Sequence, residues 1–325
     1  MRRKFDEAQT YYLKALEIFL FKSNERDAAN TYHQLGIVAH QQRQFHDAEV
    51  RYRRALRLRL KSGDRREAAG SYHQLGLVAQ DQRRYEEAEA NYRKALNIYL
   101  EFRDLHNAAG VYHQLGTVAK SQQRYGEAEA DYRKALDTFI KVGDQLSTAG
   151  TCHQLGMLTQ LQQRYEEAEA NYRKALDTYL KVNDRHSSAL TYSNLATLAR
   201  QQQRFAEAQA AFSTALDIHL ELGDRYNAAV IYSNLGGLGQ EQGQHQEAEA
   251  NYRKALDTFL KVDDRHSAAL TYMRLGALTV DQQRLTEAET NYRKALEISR
   301  EIDPQTASIS GTRLGAVLAQ LGRHW

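Results

Sequence analysis

DRREAAGSYHQLGLVAQDQRRYEEAEANYRKALNIYLEFR, residues 64–103, is the stretch on which the fold turns. Advanced by forty residues it matches again at Tyr112, Leu115, Gly116, Ala128, Tyr132, Ala135 and Leu136, and the frame runs on to Tyr272, Leu275, Gly276, Ala288, Tyr292, Ala295 and Leu296. A fixed period over nearly the whole chain means that one supersecondary unit has been stacked many times. Function is therefore to be sought on a repeated surface.

Each period holds two helical patterns. Residues 66–82 place Ala68, Ala69, Tyr72, Leu75, Val78 and Ala79 on one side of a helix, and residues 85–100 do the same with Tyr85, Ala88, Tyr92, Ala95, Leu96 and Tyr99. Neither helix has enough core to stand alone, so stacking must supply the apolar partner. Asp64, with Glu67 three residues on, reads as a helix cap, repeated at Asp104, Asp144, Asp184, Asp224 and Asp264. Arg84, Arg124, Arg164, Arg204 and Arg284 fall at the turn between the helices, where a cation suits the carbonyl end of the first. Glu89 and Arg93, four apart, and their equivalents mark a solvated outer face. Gly36, Gly76, Gly116, Gly156, Gly236 and Gly276 recur inside a helix, where glycine costs about 1 kcal/mol against alanine. Such a recurrent cost implies that helices approach too closely there for a larger side chain, and Ala196 is the one exception.

An aromatic followed three residues later by Leu-Gly, a small residue opening the next helix, then an aromatic and Ala-Leu, resembles the tetratricopeptide repeat over essentially the whole chain. Tyr72 stands where that family often has tryptophan and Ala79 where it often has tyrosine; the usual proline after the second helix is missing. The forty-residue period, against about 34 in the commonest form, resembles the repeats of kinesin light chains, Pins-type spindle-orientation adaptors and many bacterial arrays. The resemblance implies an all-α solenoid, a right-handed superhelix whose first helices line a concave groove. On this reading residues 1–325 are one array: an orphan second helix at 5–20, seven helix pairs over 26–304, and a terminal first helix at 306–321. Residues 171–192 and 251–272 differ only at Tyr179/Phe259, Asn183/Asp263 and Ser188/Ala268, which points to recent duplication of a two-repeat block.

The formal charge of +3 on 325 residues gives no global pull towards nucleic acid or anionic membrane. The most basic run, Arg51, Arg53, Arg54, Arg57, Arg59 and Lys61, encircles a second helix without stacking aromatics beside it, so a solvated face is expected and no nucleic acid. Cys152, the only cysteine, replaces Tyr112 or Tyr192 of other repeats and reads as a buried thiol. No apolar run approaches the roughly 20 residues of a membrane span, and a cytoplasmic, bacterial setting is expected. No catalytic constellation stands at usable spacing; Gly236-Gly237-Leu238-Gly239 lies inside a helix pattern without a following Lys-Ser/Thr, so a softened helix is expected there and no nucleotide or other cofactor.

The candidate site is a pair of ladders on the first helices. His33, His73, His113 and His153 give way to Ser193, Ser233 and Met273; Gln34, Gln74, Gln114 and Gln154 give way to Asn194, Asn234 and Arg274. Neighbouring rungs about 8 to 10 Å apart cannot share a zinc whose nitrogens lie about 2.0 to 2.1 Å from the ion, so no metal is expected on this ladder. Amides both donate and accept, and a row of them can pair with the main chain of a partner segment. The histidines, with an ordinary pKa of about 6.5, predict an affinity that changes between about pH 7.5 and 5.5. Flanking charges are mixed, Lys120, Arg200 and Arg274 against Asp81, Glu241 and Asp281, and the two-carboxylate clamp used by some family members on chaperone tails is only partly echoed by Asn194, Asn234 and Arg274. A non-catalytic protein-binding scaffold is the expected function. The alternatives are a sensor module of a larger bacterial signalling or defence NTPase or protease, and a self-assembling array whose copies meet end to end through Phe5, Tyr12, Leu16 and Phe19.

Overall fold

The computed structural model describes the backbone of residues 2–322 and the side chains of residues 7–322, so Phe5 lies outside the described side chains. Among the described residues there are sixteen helices and no strand. They fall into two compact units, Met1–Asn171 and Tyr172–Trp325, which divide within α9 (Tyr165–Lys181). In the first unit, the first helices of the pairs are α2 (Glu25–Gln41), α4 (Arg65–Asp81), α6 (Leu105–Ser121) and α8 (Gln145–Leu161). They alternate with the second helices α1 (Arg2–Phe21), α3 (Phe45–Lys61), α5 (Tyr85–Glu101) and α7 (Tyr125–Val142). In the second unit, α10 (Arg185–Gln201), α12 (Arg225–Glu241), α14 (Arg265–Asp281) and α16 (Pro304–Gln320) alternate with α11 (Phe205–Glu221), α13 (His245–Lys261) and α15 (Leu285–Ser299). Pro304 opens α16, where its missing N–H leaves no bond unmade.

The period of forty is the sum of its parts. The helices α4 and α5 have 17 residues each, and residues 82–84 and 102–104 connect them onward. Each connection is the same αL turn: Arg83, at φ 58°, and Arg103, at φ 54°, carry the left-handed residue. The next N–H then returns to the helix, Arg84 to the Ala79 carbonyl and Asp104 to the Tyr99 carbonyl, both at 2.8 Å. Asp64, Asp104, Asp144, Asp184, Asp224 and Asp264 cap the first helices as expected, each accepting from the N–H three residues on. Asp144→Ala, which leaves the Ser147 N–H without its 3.0 Å acceptor, is expected to lower stability by about 1 kcal/mol in a urea titration; an unchanged midpoint would show that water replaces the cap fully.

The recurrent helix-interior glycines meet a tyrosine of the following helix. A Cβ built on Gly76 would lie 2.5 Å from the Tyr92 ring, one on Gly116 2.8 Å from Tyr132, and one on Gly236 2.6 Å from Tyr252. These rings are among the largest fully buried side chains of the core, with Ala79, Ala88, Ala95, Leu115 and Val118 in the cluster of Tyr92. Ala196 shares its cluster with Phe212. Tyr72, Tyr112, Tyr232 and Tyr272 lie further out, and Lys94, Lys134, Lys254 and Lys294 sit over their rings at 5.0–5.4 Å.

The turn arginines differ from expectation. They stand just ahead of the second helices and face carboxylates instead of the carbonyl end of the first. Arg84 bonds Glu87 in its own helix and Glu49 of the previous second helix at 2.7 Å, and Arg124 bonds Glu127 and reaches back to Glu89 at 2.6 Å. Arg164 does the same with Glu167 and Glu129, and in the second unit Arg284 does so with Glu287 and Glu249. The reached glutamate also takes the arginine four residues on, as in Glu129 with Arg133 at 2.6 Å, and it is only 17–19% exposed. The outer face is thus a clasp running from repeat to repeat, and hydrogen bonds from Arg164 and Arg284 hold Glu129 and Glu249 below the usual carboxylate range.

Two further expectations are corrected. The basic run is not uniformly solvated: Arg59 is 5% exposed and donates to Ser71 Oγ, the Glu67 carbonyl and Asn30 Oδ1 at 2.8–3.0 Å, because it occupies the inward site that Tyr99 fills one repeat later. The triple glycine does not interrupt α12, which is continuous; Gly236 faces Tyr252, Gly237 lies under the Arg200 guanidinium and Gly239 against Ala248.

Candidate functional site

The ladder residues lie on the first helices, but they are unequally available. Gln34 and Arg274 are exposed; His33, His73, Gln74, His113, Gln114, His153, Gln154, Ser193, Asn194, Met273 and Asn234 are half-buried, and Ser233 is buried. Each histidine of α2, α4 and α6 leans on the tyrosine that fills the glycine notch, with ring centroids of His33 and Tyr52, His73 and Tyr92, and His113 and Tyr132 5.4–5.7 Å apart. Spacing by three and four already puts them between the core stripe and the open face. The packed tyrosine decides how far they turn in.

That burial sets their chemistry. Desolvation lowers His33, His73, His113 and His153 to about 4, and the nearby charges of Arg59 and Lys120 add to it at His33 and at His113 and His153. Values so far below that window argue against the expected change of affinity between about pH 7.5 and 5.5. The ladder offers neutral polar groups, with His113 Nδ1 already 3.1 Å from Thr151 Oγ1.

The amides and flanking charges are also partly engaged. Gln74 accepts from the Tyr52 hydroxyl at 3.3 Å and Gln154 from Lys120 at 2.6 Å, while Arg274 donates to Ser233 Oγ. Near the ends of the first helices, His40 pairs with Asp81 at 2.7 Å, Arg200 with Glu241 at 2.6 Å and Gln240 with Asp281 at 2.7 Å. The mixed charges are therefore spent on joining adjacent first helices.

What sequence reasoning missed is the apolar rung beside the amides. Gly70, Gly110 and Gly150 in the first unit correspond to Leu190, Val230 and Leu270 in the second. There Val230, Leu270, Thr271, Ser233, Asn234 and Arg274 line a cleft of about 120 Å³. Leu270, Met273, Arg274, Ala277 and Arg313 border another of about 290 Å³. Both fall below the about 300–1,000 Å³ of small-molecule sites and have the scale of a pocket for one side chain. The signal was present at the phase three or four residues before the Ser/Asn pair, where small and large apolar residues alternate between halves of the chain. Cys152, 3% exposed in α8, is buried as expected.

The end-to-end contact is not supported by the side chains named for it. Leu16 is buried, and Tyr12 and Phe19 pack with it against Ala28, Tyr32 and Leu35 of α2. Among the described residues, the large apolar groups that α1 leaves open are Tyr11, Leu13, Ile18, Leu20 and Phe21.

Among the described residues no helix is long and apolar enough to cross a membrane. The family model described as "Tetratricopeptide repeat" matches residues 1–61, 67–141, 107–181, 144–220 and 187–261, and a second of the same description matches 268–302. No curated protein matches the chain. Among solved structures the chain is similar to a signal-transduction ATPase with numerous domains that carries a tetratricopeptide repeat sensor, from Pyrococcus horikoshii. That match has 16% identity and a TM-score of 0.74, and it covers 98% of this chain and 50% of that one. It is similar as well to the apo form of RapI, at 17% identity and TM-score 0.67, over 84% of this chain and 98% of that one. BtubC from P. vanneervenii matches at 21% identity and TM-score 0.61, over 68% of this chain and 92% of that one. At these identities the likeness is one of fold.

Proposed function

This chain belongs to the tetratricopeptide repeat family, and from that premise we propose that it is a non-catalytic scaffold that holds a segment of a partner protein along its first helices. The observation that carries the reading is the pair of side-chain-sized clefts in the second unit, apolar at Val230, Leu270 and Ala277 and rimmed by Asn234 and Arg274. Amides and a guanidinium at the rim bond a main chain while the clefts sort its side chains. In the first unit, taken by itself, the first helices present imidazoles and amides beside Gly70, Gly110 and Gly150, a polar surface of their own.

The test is a pull-down from the source organism's lysate, comparing the parent with a variant carrying Gln114, Gln154, Asn194 and Asn234→Ala. A protein kept by the parent and lost by the variant, at unchanged helicity, is the expected result; recovery of the same proteins by both would sink the groove reading. For a partner so identified, Leu270→Ala is expected to weaken binding by about tenfold, about 1.4 kcal/mol, since it removes an apolar wall shared by both clefts.

A second reading is favoured by the archaeal ATPase, whose match covers 98% of this chain and half of that protein. The array would then be the sensing part of a larger signalling protein. A nucleotide-binding or protease domain in the same reading frame decides for it, and flanking stop codons decide against it.

A further inference from the structure

The repeat sets a histidine beside a helix-capping aspartate at intervals of eighty residues. His106 Nδ1 lies 3.5 Å from Asp144 Oδ2, His186 Nδ1 3.8 Å from Asp224 Oδ2, and His266 Nδ1 3.6 Å from Asp303 Oδ2. What stands behind each pair differs. Behind the first is the Phe139 ring, 5.9 Å from that of His106, and the third has Ser299 at the same phase, its hydroxyl bonded to the Ala295 carbonyl. Behind the second is His219 of α11, on the inward site that Arg59, Tyr99 and Phe259 occupy elsewhere.

His219 is fully buried, yet neither of its ring nitrogens has a hydrogen bond. Its Nδ1 lies 3.2 Å from Asp224 Oδ2, close enough for attraction but not aligned as a hydrogen bond, and its ring stands edge-on to that of His186 with centroids 6.0 Å apart. One ligand atom from each of His186, His219 and Asp224 lies within 4.8 Å of the others. A tetrahedral ion with N and O donors at about 2.0–2.2 Å needs those donors about 3.3 Å apart, and 3.2 and 3.8 Å bracket that spacing. The closing movement falls to His186, whose side chain is 56% exposed at the first turn of α10. Asp224 is already oriented: Oδ1 accepts from the Asn227 N–H at 3.1 Å and Oδ2 from Asn227 Nδ2 at 2.7 Å, the kind of outer support that metal-ligating carboxylates receive.

We propose that His186, His219 and Asp224 form a three-ligand site for zinc or a similar divalent transition metal at the turn between α11 and α12. Two imidazoles and a carboxylate suit zinc, cobalt or nickel over calcium or magnesium. Because His186 and the carboxylate reach the surface, the fourth position opens to water. The bound ion ties α10 to the junction of α11 and α12 and gives one of the two His219 ring nitrogens a partner.

The test is calorimetric titration of the intact, untagged chain with zinc chloride at neutral pH, with cobalt absorption reporting the coordination number. One equivalent is expected, in a four-coordinate cobalt spectrum, with zinc raising the unfolding midpoint. His219→Phe, which installs the residue present at Phe139 and Phe259, is expected to weaken zinc by more than about 100-fold, beyond the about 10–100-fold that loss of an outer partner costs. His186→Ala, at an exposed position that leaves the core intact, is expected to do the same should the first variant fold poorly. Zinc affinity in the millimolar range for the parent, or affinity retained in a folded variant of either kind, overturns the proposal and leaves His219 as a core ring filler.

Discussion

Tyr92→Ala is expected to lower the stability of its unit by about 3–5 kcal/mol, the range for deleting a large buried aromatic side chain. Tyr92 has no exposed surface, lies in a cluster with Ala88, Ala95, Val118 and Leu115, and donates from its hydroxyl to Gln80 Oε1 at 2.8 Å. The ring also explains the glycine opposite it. Gly76→Ala would gain about 1 kcal/mol of helix propensity while pressing a methyl 2.5 Å from a fully buried ring, so overpacking is expected to make it net destabilising. Gly76→Val adds carbons that the ring cannot clear and is expected to cost about 1–3 kcal/mol. In the Tyr92→Ala background the valine enters vacated space. Urea unfolding of the four proteins of this cycle should therefore show a coupling of about 1–2 kcal/mol. Additive effects would mean that the glycine serves something other than the tyrosine.

The second large effect is an acid weakness that begins well above the carboxylate range. The four ladder histidines bind a proton near pH 4 when folded and near pH 6.5 when unfolded. Between these values the unfolded chain binds more protons, so stability is full above about pH 6.5 and declines as pH falls towards 4. A shift of this size is worth at most about 3 kcal/mol per ring; half-buried rings with water nearby should realise about 1–2 each. The thermal midpoint is expected to drop steadily from pH 6.5 to 5, before the depressed carboxylates such as Glu129 and Glu249 lose their charge. Replacing His33, His73, His113 and His153 with serine, the residue of Ser193 and Ser233, should flatten the upper part of that slope. A midpoint unchanged between pH 6.5 and 5 in the parent would show the rings to be solvated.

Much of this fold is legible because it is written many times. A Leu-Gly at one phase and a tyrosine sixteen residues on recur until coincidence is excluded, and periodicity then supplies pairing, packing and the capping aspartates. The site is less legible for the opposite reason. Periodicity places His73 near the open face of α4 but cannot say that Tyr92 draws its ring inward, since that depends on depth between helices. Arg59 and His219 look like ordinary departures on polar stretches, yet both sit at the inward phase of Tyr99. The turn arginines were visible as a repeat, whereas their partners, thirty-five residues back, emerge only when second helices lie side by side.

The outer clasp carries a consequence for inheritance. Arg84, Arg124, Arg164 and Arg284 each reach a glutamate of the preceding repeat, and these glutamates are chemically the same. Loss of residues 65–104 from the first unit would present Glu49 to Arg124 in the geometry that Arg84 now holds, and a duplicated block would be received as readily. The joint recognises its neighbour by kind and not by identity. A gene for this chain that gained or lost forty residues by recombination between its own repeats would meet the same joint on either side, so the length of the array is a trait that selection could adjust without first rebuilding that joint.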